Sequence, residues 1–91
     1  MPAKKAIFNG HVQGVGFRYT VKRIASGYEV VGTVRNLEDG RVEVQAHSHD
    51  PAEVDAFIED IKTSCLGGNI KDAEIHDISD LADVKGFSII E

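Results

Sequence analysis

Apolar residues gather around Ile7, Phe8 and Val12 in the stretch KAIFNGHV, and this predicts a first strand over 5–12 that ends before Gly14. From Phe17 the period changes. Phe17, Val21, Ile24 and Ala25 stand at i, i+4, i+7 and i+8, one face of a helix, with Gly27 as its C-terminal stop. VVGTVRN predicts a second strand over 30–36, and residues 37–40 a turn whose strongest signal is Asp39-Gly40. Over 41–48, Val42, Val44 and Ala46 alternate with polar residues, as in a half-buried strand. Asp50 then reads as an N-cap, with Pro51 at the first helical position and Glu53 completing a capping box. Val54, Phe57, Ile58, Ile61 and Cys65 form the apolar stripe of the second helix, and Gly67-Gly68 ends it. A fourth strand is expected over 72–79 and a short last one over 86–90.

The order is β-α-β-β-α-β with a small strand added. Each helix has one apolar face, so both pack on the same side of one sheet. The expected class is α+β: a ferredoxin-like α/β sandwich, with an antiparallel sheet, two helices on one face and a short final strand. A chain of 91 residues makes one domain over 1–91 and has enough length to bury a core without staples. No repeat, low-complexity tract or linker interrupts it.

Charge narrows the function classes. The net charge is −5 and the pI about 5.3, so neither nucleic acid nor an anionic membrane is an expected partner. Any anion must be held by a local site against the field of the whole molecule. The one cysteine, Cys65, excludes an intrachain disulfide and reads as a half-buried helix residue. The start, MPAKKAIFNG, lacks the apolar stretch of a signal peptide, and no apolar run approaches a membrane span. A cytoplasmic monomer is expected.

Between the first strand and the first helix lies HVQGVGFRYT. Gly14 and Gly16 fit a plain strand-to-helix turn, and they also fit an anion cradle. A dinucleotide fingerprint needs a glycine where Tyr19 stands, and a Walker-type loop needs a Gly-Lys-Ser/Thr that is absent. In a cradle, glycines let successive backbone N–H groups converge, and the helix start adds its own unpaired N–H groups and positive dipole end. Arg18 sits in that first turn, where a cation is disfavoured by about 0.3–1 kcal/mol. It is either a surface arginine or the planar fork that closes the cradle over a phosphate. Asn36 ends the second strand. It is either a turn residue or a neutral amide that orients a water.

These stretches carry a family resemblance. GHVQGVGFR, residues 10–18, resembles the signature loop of acylphosphatases, and GTVRNLEDGRVEV, residues 32–44, resembles that family's second signature. Both occur in the family's order, and the expected fold agrees over essentially the whole chain. The resemblance implies hydrolysis of small acyl phosphates to a carboxylate and inorganic phosphate, without metal or cofactor. It implies that Arg18 binds the phosphoryl group, that the loop of Gly14, Val15, Gly16, Phe17, Arg18 and Tyr19 surrounds it with the N–H groups of Val15 through Tyr19, and that Asn36 holds the attacking water. An acyl phosphate already has a good leaving group, so positioning and charge stabilisation suffice.

Three positions depart from the family pattern. Thr33 replaces the usual aromatic, AHSH lacks the glycine often found at the end of the third strand, and CLGGN lacks the usual Gly-Pro. Alternation puts Thr33 on the face opposite Val34 and Asn36, so altered packing is expected there rather than lost chemistry. His47 and His49 are half of a metal site at most, with no third ligand evident. His11 and His76 read as solvent-facing or hydrogen-bonded strand residues, His11 near enough to tune the loop. Lys22, one turn from Arg18, has the option of sharing its direction. The competing function is a non-catalytic anion or acyl-phosphate binding module on the same fold. An RNA-binding module needs aromatics on the third strand, and RVEVQAHS has none.

Overall fold

A computed structural model of the chain describes residues 3–64, 67–79 and 85–90. In chain order the elements are β1 (Ala3–Gly10), α1 (Phe17–Ala25), β2 (Val31–Asn36), β3 (Val42–His47), α2 (Pro51–Lys62), a 3₁₀ turn (Gly67–Asn69), β4 (Ile70–Ile78) and β5 (Phe87–Ile89).

The five strands form one sheet in the order β4-β1-β3-β2-β5. β3 lies antiparallel to both β1 and β2, and β4 antiparallel to β1. Hence β1 and β2 run the same way with β3 between them, and β3 and β4 do so with β1 between them. These are two interleaved split βαβ units, the ferredoxin-like arrangement. β5 joins the far edge parallel to β2, with Gly32 opposite Phe87.

Strand alternation selects the helix-covered face. Ala6 and Phe8 of β1, Val34 of β2 and Val42, Val44 and Ala46 of β3 are all buried. Against them pack Phe17, Val21 and Ala25 of α1 and Val54, Phe57, Ile58 and Ile61 of α2. Each of the valine, isoleucine and phenylalanine side chains contributes about 1.5–3 kcal/mol when fully buried. Phe8 and Phe17 meet with ring centroids 5.5 Å apart, and Phe57 meets Phe87 at 5.4 Å. Ile24 is only partly buried at the edge of this core. Cys65 lies outside the described residues.

Tertiary contacts move several element ends. β1 stops at Gly10, not at Val12, because its pairing with β4 shifts register between Asn9 and Gly10. There His11 N–H donates to the Asn69 carbonyl at 2.9 Å, and Asn69 Nδ2 donates to the His11 carbonyl at 3.0 Å. β4 accordingly begins at Ile70. α1 ends at Ala25, and Gly27 lies beyond it in a turn whose N–H reaches the Ile24 carbonyl at 3.0 Å. α2 ends at Lys62, ahead of the Gly67-Gly68 pair. Asp50 caps α2 by accepting from Ala52 N–H at 3.0 Å. The other half of the expected capping box is not made. Glu53 Oε1 accepts from Glu29 N–H at 3.0 Å, while Ser48 Oγ accepts from Asp50 N–H at 3.2 Å.

Candidate anion site at the start of the first helix

Because β1 and β2 are parallel, they finish at the same end of the sheet. Val42 of β3 faces Phe8 on one side and Asn36 on the other. Asn36 therefore shares the helix-covered face of Phe8 and Val34, at the end where the chain leaves β1 to enter α1. This register brings Asn36 to the glycine loop, although 17 residues of chain lie between Arg18 and Asn36.

Gly14 has φ 78° and Gly16 φ 77°, both left-handed. An added Cβ at either glycine meets nothing within 4 Å, so conformation and not crowding requires glycine at both positions. Gly16 is also the N-cap of α1, so no side chain caps that helix, and its first turn holds no acid. Thr20 N–H to the Gly16 carbonyl, 3.0 Å, is the first helical bond. The N–H groups of Phe17, Arg18 and Tyr19 precede it and have no acceptor within the helix. α2 differs on each count: Asp50 caps it and Glu53 stands in its first turn. The uncapped, acid-free start of α1 presents positive potential to a ligand.

A cleft of about 110 Å³ opens at this point, lined by Val12, Gly14, Gly16, Phe17, Arg18, Tyr19 and Asn36. Val15 is not among the lining residues; its side chain packs against the core, so only its backbone is available to the loop. Arg18 is half-buried and makes no ion pair with a described residue. The Oδ1 atom of Asn36 is buried and has no hydrogen-bond partner among the described residues. A buried carbonyl oxygen left so costs about 1–3 kcal/mol, unless a water or ligand donates to it.

Sequence reasoning passed over two braces of the loop. Gln13 Nε2 donates to the carbonyls of Leu37 at 2.8 Å and Arg41 at 3.0 Å, joining the glycine loop to the hairpin that follows Asn36. Asn69 clamps the other end of the loop at His11. An amide between Val12 and Gly14 was the available signal for Gln13; Asn69 needed the fold. The hairpin is itself held tight. Asp39 accepts from Arg41 N–H at 3.1 Å and from Arg41 Nε at 2.7 Å. The backbone bond first, and then the guanidinium, hold the Asp39 carboxyl below its ordinary value against the opposing effect of desolvation.

Other candidates fall away from the cleft. Lys22 lines a separate hollow with Tyr28 and Phe87, so it does not share the direction of Arg18. His11 and His76 are exposed, and neither lines the cleft. His47 faces Ala3 and Val31 across the sheet, and His49 is exposed beyond the strand. Among the described residues, no three His, Cys, Asp or Glu side chains are grouped to hold a metal ion. Thr33 sits opposite Gln45 on the face away from the helices.

The acylphosphatase family model matches residues 4–89. An acylphosphatase of Listeria welshimeri is 43% identical over 82 residues, 89% of this chain and 87% of that protein. The crystal structure of acylphosphatase from Bacillus subtilis superposes with a TM-score of 0.89 at 33% identity, covering 100% of both chains. An acylphosphatase structure from Coxiella burnetii shares the fold, with a TM-score of 0.85 at 24% identity over 98% of this chain and 92% of that one.

Proposed function

The chain belongs to the acylphosphatase family, and from that premise we propose that residues 1–91 form a single acylphosphatase-like domain whose cleft between Gly14, Arg18 and Asn36 hydrolyses small acyl phosphates. The products are a carboxylate and inorganic phosphate. The N–H groups of Val15 through Tyr19 and the Arg18 guanidinium bind the phosphoryl oxygens. Asn36 Oδ1 accepts a hydrogen bond from the attacking water and aims its oxygen at phosphorus. As the P–O(water) bond forms, the P–O(acyl) bond breaks and the carboxylate leaves with the electron pair. The water proton passes to a phosphoryl oxygen. The leaving group is a weak base, so neither a general acid nor a metal or other cofactor is assigned a step. The main requirement is charge stabilisation by donors already in place. The reading includes a cytoplasmic monomer without nucleic-acid or membrane partners. Among the described residues, no helix is long and apolar enough to cross a membrane.

The observation that carries the assignment is the buried, unpartnered Asn36 Oδ1 in the same cleft as the uncapped helix start and the unpaired Arg18. The test is phosphate release from acetyl phosphate. Wild type turns over, with and without chelator, and phosphate inhibits competitively. Arg18→Ala folds but loses about 10²–10³-fold or more in turnover. Phosphate binding without turnover by wild type returns the chain to a non-catalytic binding module. Full turnover by a folded Arg18→Ala protein removes the site.

A further inference from the structure

Tyr19 has an exposure that the fold does not explain. Its side chain is 72% exposed, whereas Phe8, Phe17 and Phe57 are buried to 2% or less. Tyr28 and Phe87 pack against the core, and Tyr28 hydrogen-bonds Asp60. Tyr19 makes none of the ring contacts found among the described aromatics, and its hydroxyl has no partner among the described residues. Yet it lines the same cleft as Arg18 and Asn36.

The cleft is also small. Its roughly 110 Å³ compares with about 600 Å³ for the hollow beside the hairpin. In the proposed reaction the phosphoryl group and the attacking water occupy the cleft. The acyl group of a bound substrate must then stand outside, at the rim, where Tyr19 offers an exposed aromatic ring. Asn36 also lines this wider hollow of about 600 Å³ beside the hairpin. Its cations are already engaged, Arg35 by Glu43 at 3.2 Å and Arg41 by Asp39 at 2.7 Å, and Glu38 and Asp39 line it as well. That hollow has no excess positive charge for an acidic acyl group, and no aromatic ring lines it for a flat apolar one.

Building on the proposed function, we infer that Tyr19 is a specificity-determining residue: its ring receives the acyl group and favours acyl phosphates with a flat, apolar acyl portion. Offset stacking and edge-to-face contact are the available geometries, and such pairs discriminate roughly 3- to 10-fold. The phenolic hydroxyl has no part in this preference.

The test compares kcat/KM for benzoyl phosphate, acetyl phosphate and succinyl phosphate in wild type, Tyr19→Ala and Tyr19→Phe. Any effect of the substitution on the cradle itself is common to all substrates and cancels in their ratio. Wild type is expected to prefer benzoyl over acetyl phosphate. Tyr19→Ala should shrink that ratio roughly 3- to 10-fold, mainly through the KM for benzoyl phosphate, and Tyr19→Phe should keep it. An unchanged ratio in Tyr19→Ala overturns the inference, as does a wild-type preference for succinyl phosphate, which would send the acyl group toward the hairpin. Wild type inactive on every substrate would overturn the proposed function instead.

Discussion

Gln13 is hydrogen-bonded through its side-chain amide to the backbone carbonyl of Leu37, at 2.8 Å, so the glycine loop and the residue after Asn36 are tied directly. The same nitrogen reaches the Arg41 carbonyl at 3.0 Å, and Arg41 in turn accepts from Leu37 N–H at 2.8 Å. One amide therefore spans both sides of the turn between β2 and β3 and ties it to the glycine loop.

Removing that brace should harm geometry more than folding. Gln13→Ala loses two partly buried hydrogen bonds, about 1–2 kcal/mol of stability. In-line attack tolerates little misplacement, so kcat/KM for acetyl phosphate should fall about tenfold or more in protein that remains folded. Gln13→Glu should be worse, because a carboxylate cannot donate to either carbonyl. Denaturant unfolding together with steady-state kinetics checks this. Unchanged kinetics alongside lost stability would make Gln13 a structural brace only.

Gly16 joins loop conformation to ligand space. At φ 77° an alanine adopts the left-handed region at a cost of about 1–2 kcal/mol. Its Cβ meets no protein atom within 4 Å, and Gly16 lines the cleft. Gly16→Ala should lower stability by that amount. Gly16→Asn should lower it less, since asparagine tolerates this conformation. Both should weaken inhibition by inorganic phosphate several-fold, because either side chain occupies the anion's place. Phosphate inhibition constants and melting temperatures separate the two effects. A normal phosphate constant in both variants would place the anion elsewhere.

The Tyr28 hydroxyl donates to Asp60 Oδ2 at 2.8 Å. That bond foremost, then desolvation and the charges of Asp60 and Glu53, push the phenol above its ordinary 10.0. A folded-state pKa above the unfolded value gives stability that is fully present below the unfolded pKa and is lost as pH rises through the folded one. Wild-type stability should therefore fall on the alkaline side, beyond about pH 10. Tyr28→Phe should remove this part of the decline while losing some stability at neutral pH. Unfolding free energies between pH 8 and 11.5, compared as a difference between the two proteins, check it. Parallel curves would mean that the Asp60 bond does not form in solution.

What the sequence made legible was whatever depends on local period. Phe17, Val21 and Ala25 declared the buried face of α1, and Val42, Val44 and Ala46 that of β3. Gly14 and Gly16 announced a turn, but spacing alone left both a plain turn and a cradle open. The left-handed φ values, the uncapped helix and the Asn36 register were needed to bring the loop together with Asn36. Features set by distant partners were not legible. The register shift at Gly10 depends on Asn69, the fate of Glu53 on Glu29, and the direction of Lys22 on the packing of β5. The role of Gln13 depends likewise on Leu37 and Arg41, 24 and 28 residues away.

Asn36→Asp tests the water-holding role most directly. The side chains have nearly the same shape, and aspartate suits a turn as well as asparagine does. The Oδ1 position is buried and without a partner, so in the variant a carboxylate occupies a desolvated site. Burial raises the carboxyl pKa of the variant, whereas Arg18 and the positive start of α1 lower it, so activity carries the sign. Once ionised, the carboxylate repels the phosphoryl group; unit charges about 4 Å apart interact by roughly 4 kcal/mol at an effective dielectric near 20, before screening. Even half of that corresponds to about a 30-fold loss of kcat/KM at neutral pH. The loss should shrink as pH falls and the carboxyl is protonated, a pH dependence that a turn residue would not produce. Rates of acetyl phosphate hydrolysis by both proteins from pH 4 to 8, with folding followed by circular dichroism, decide the matter. A variant as active as wild type across that range would leave Asn36 as a turn residue and the attacking water without its holder.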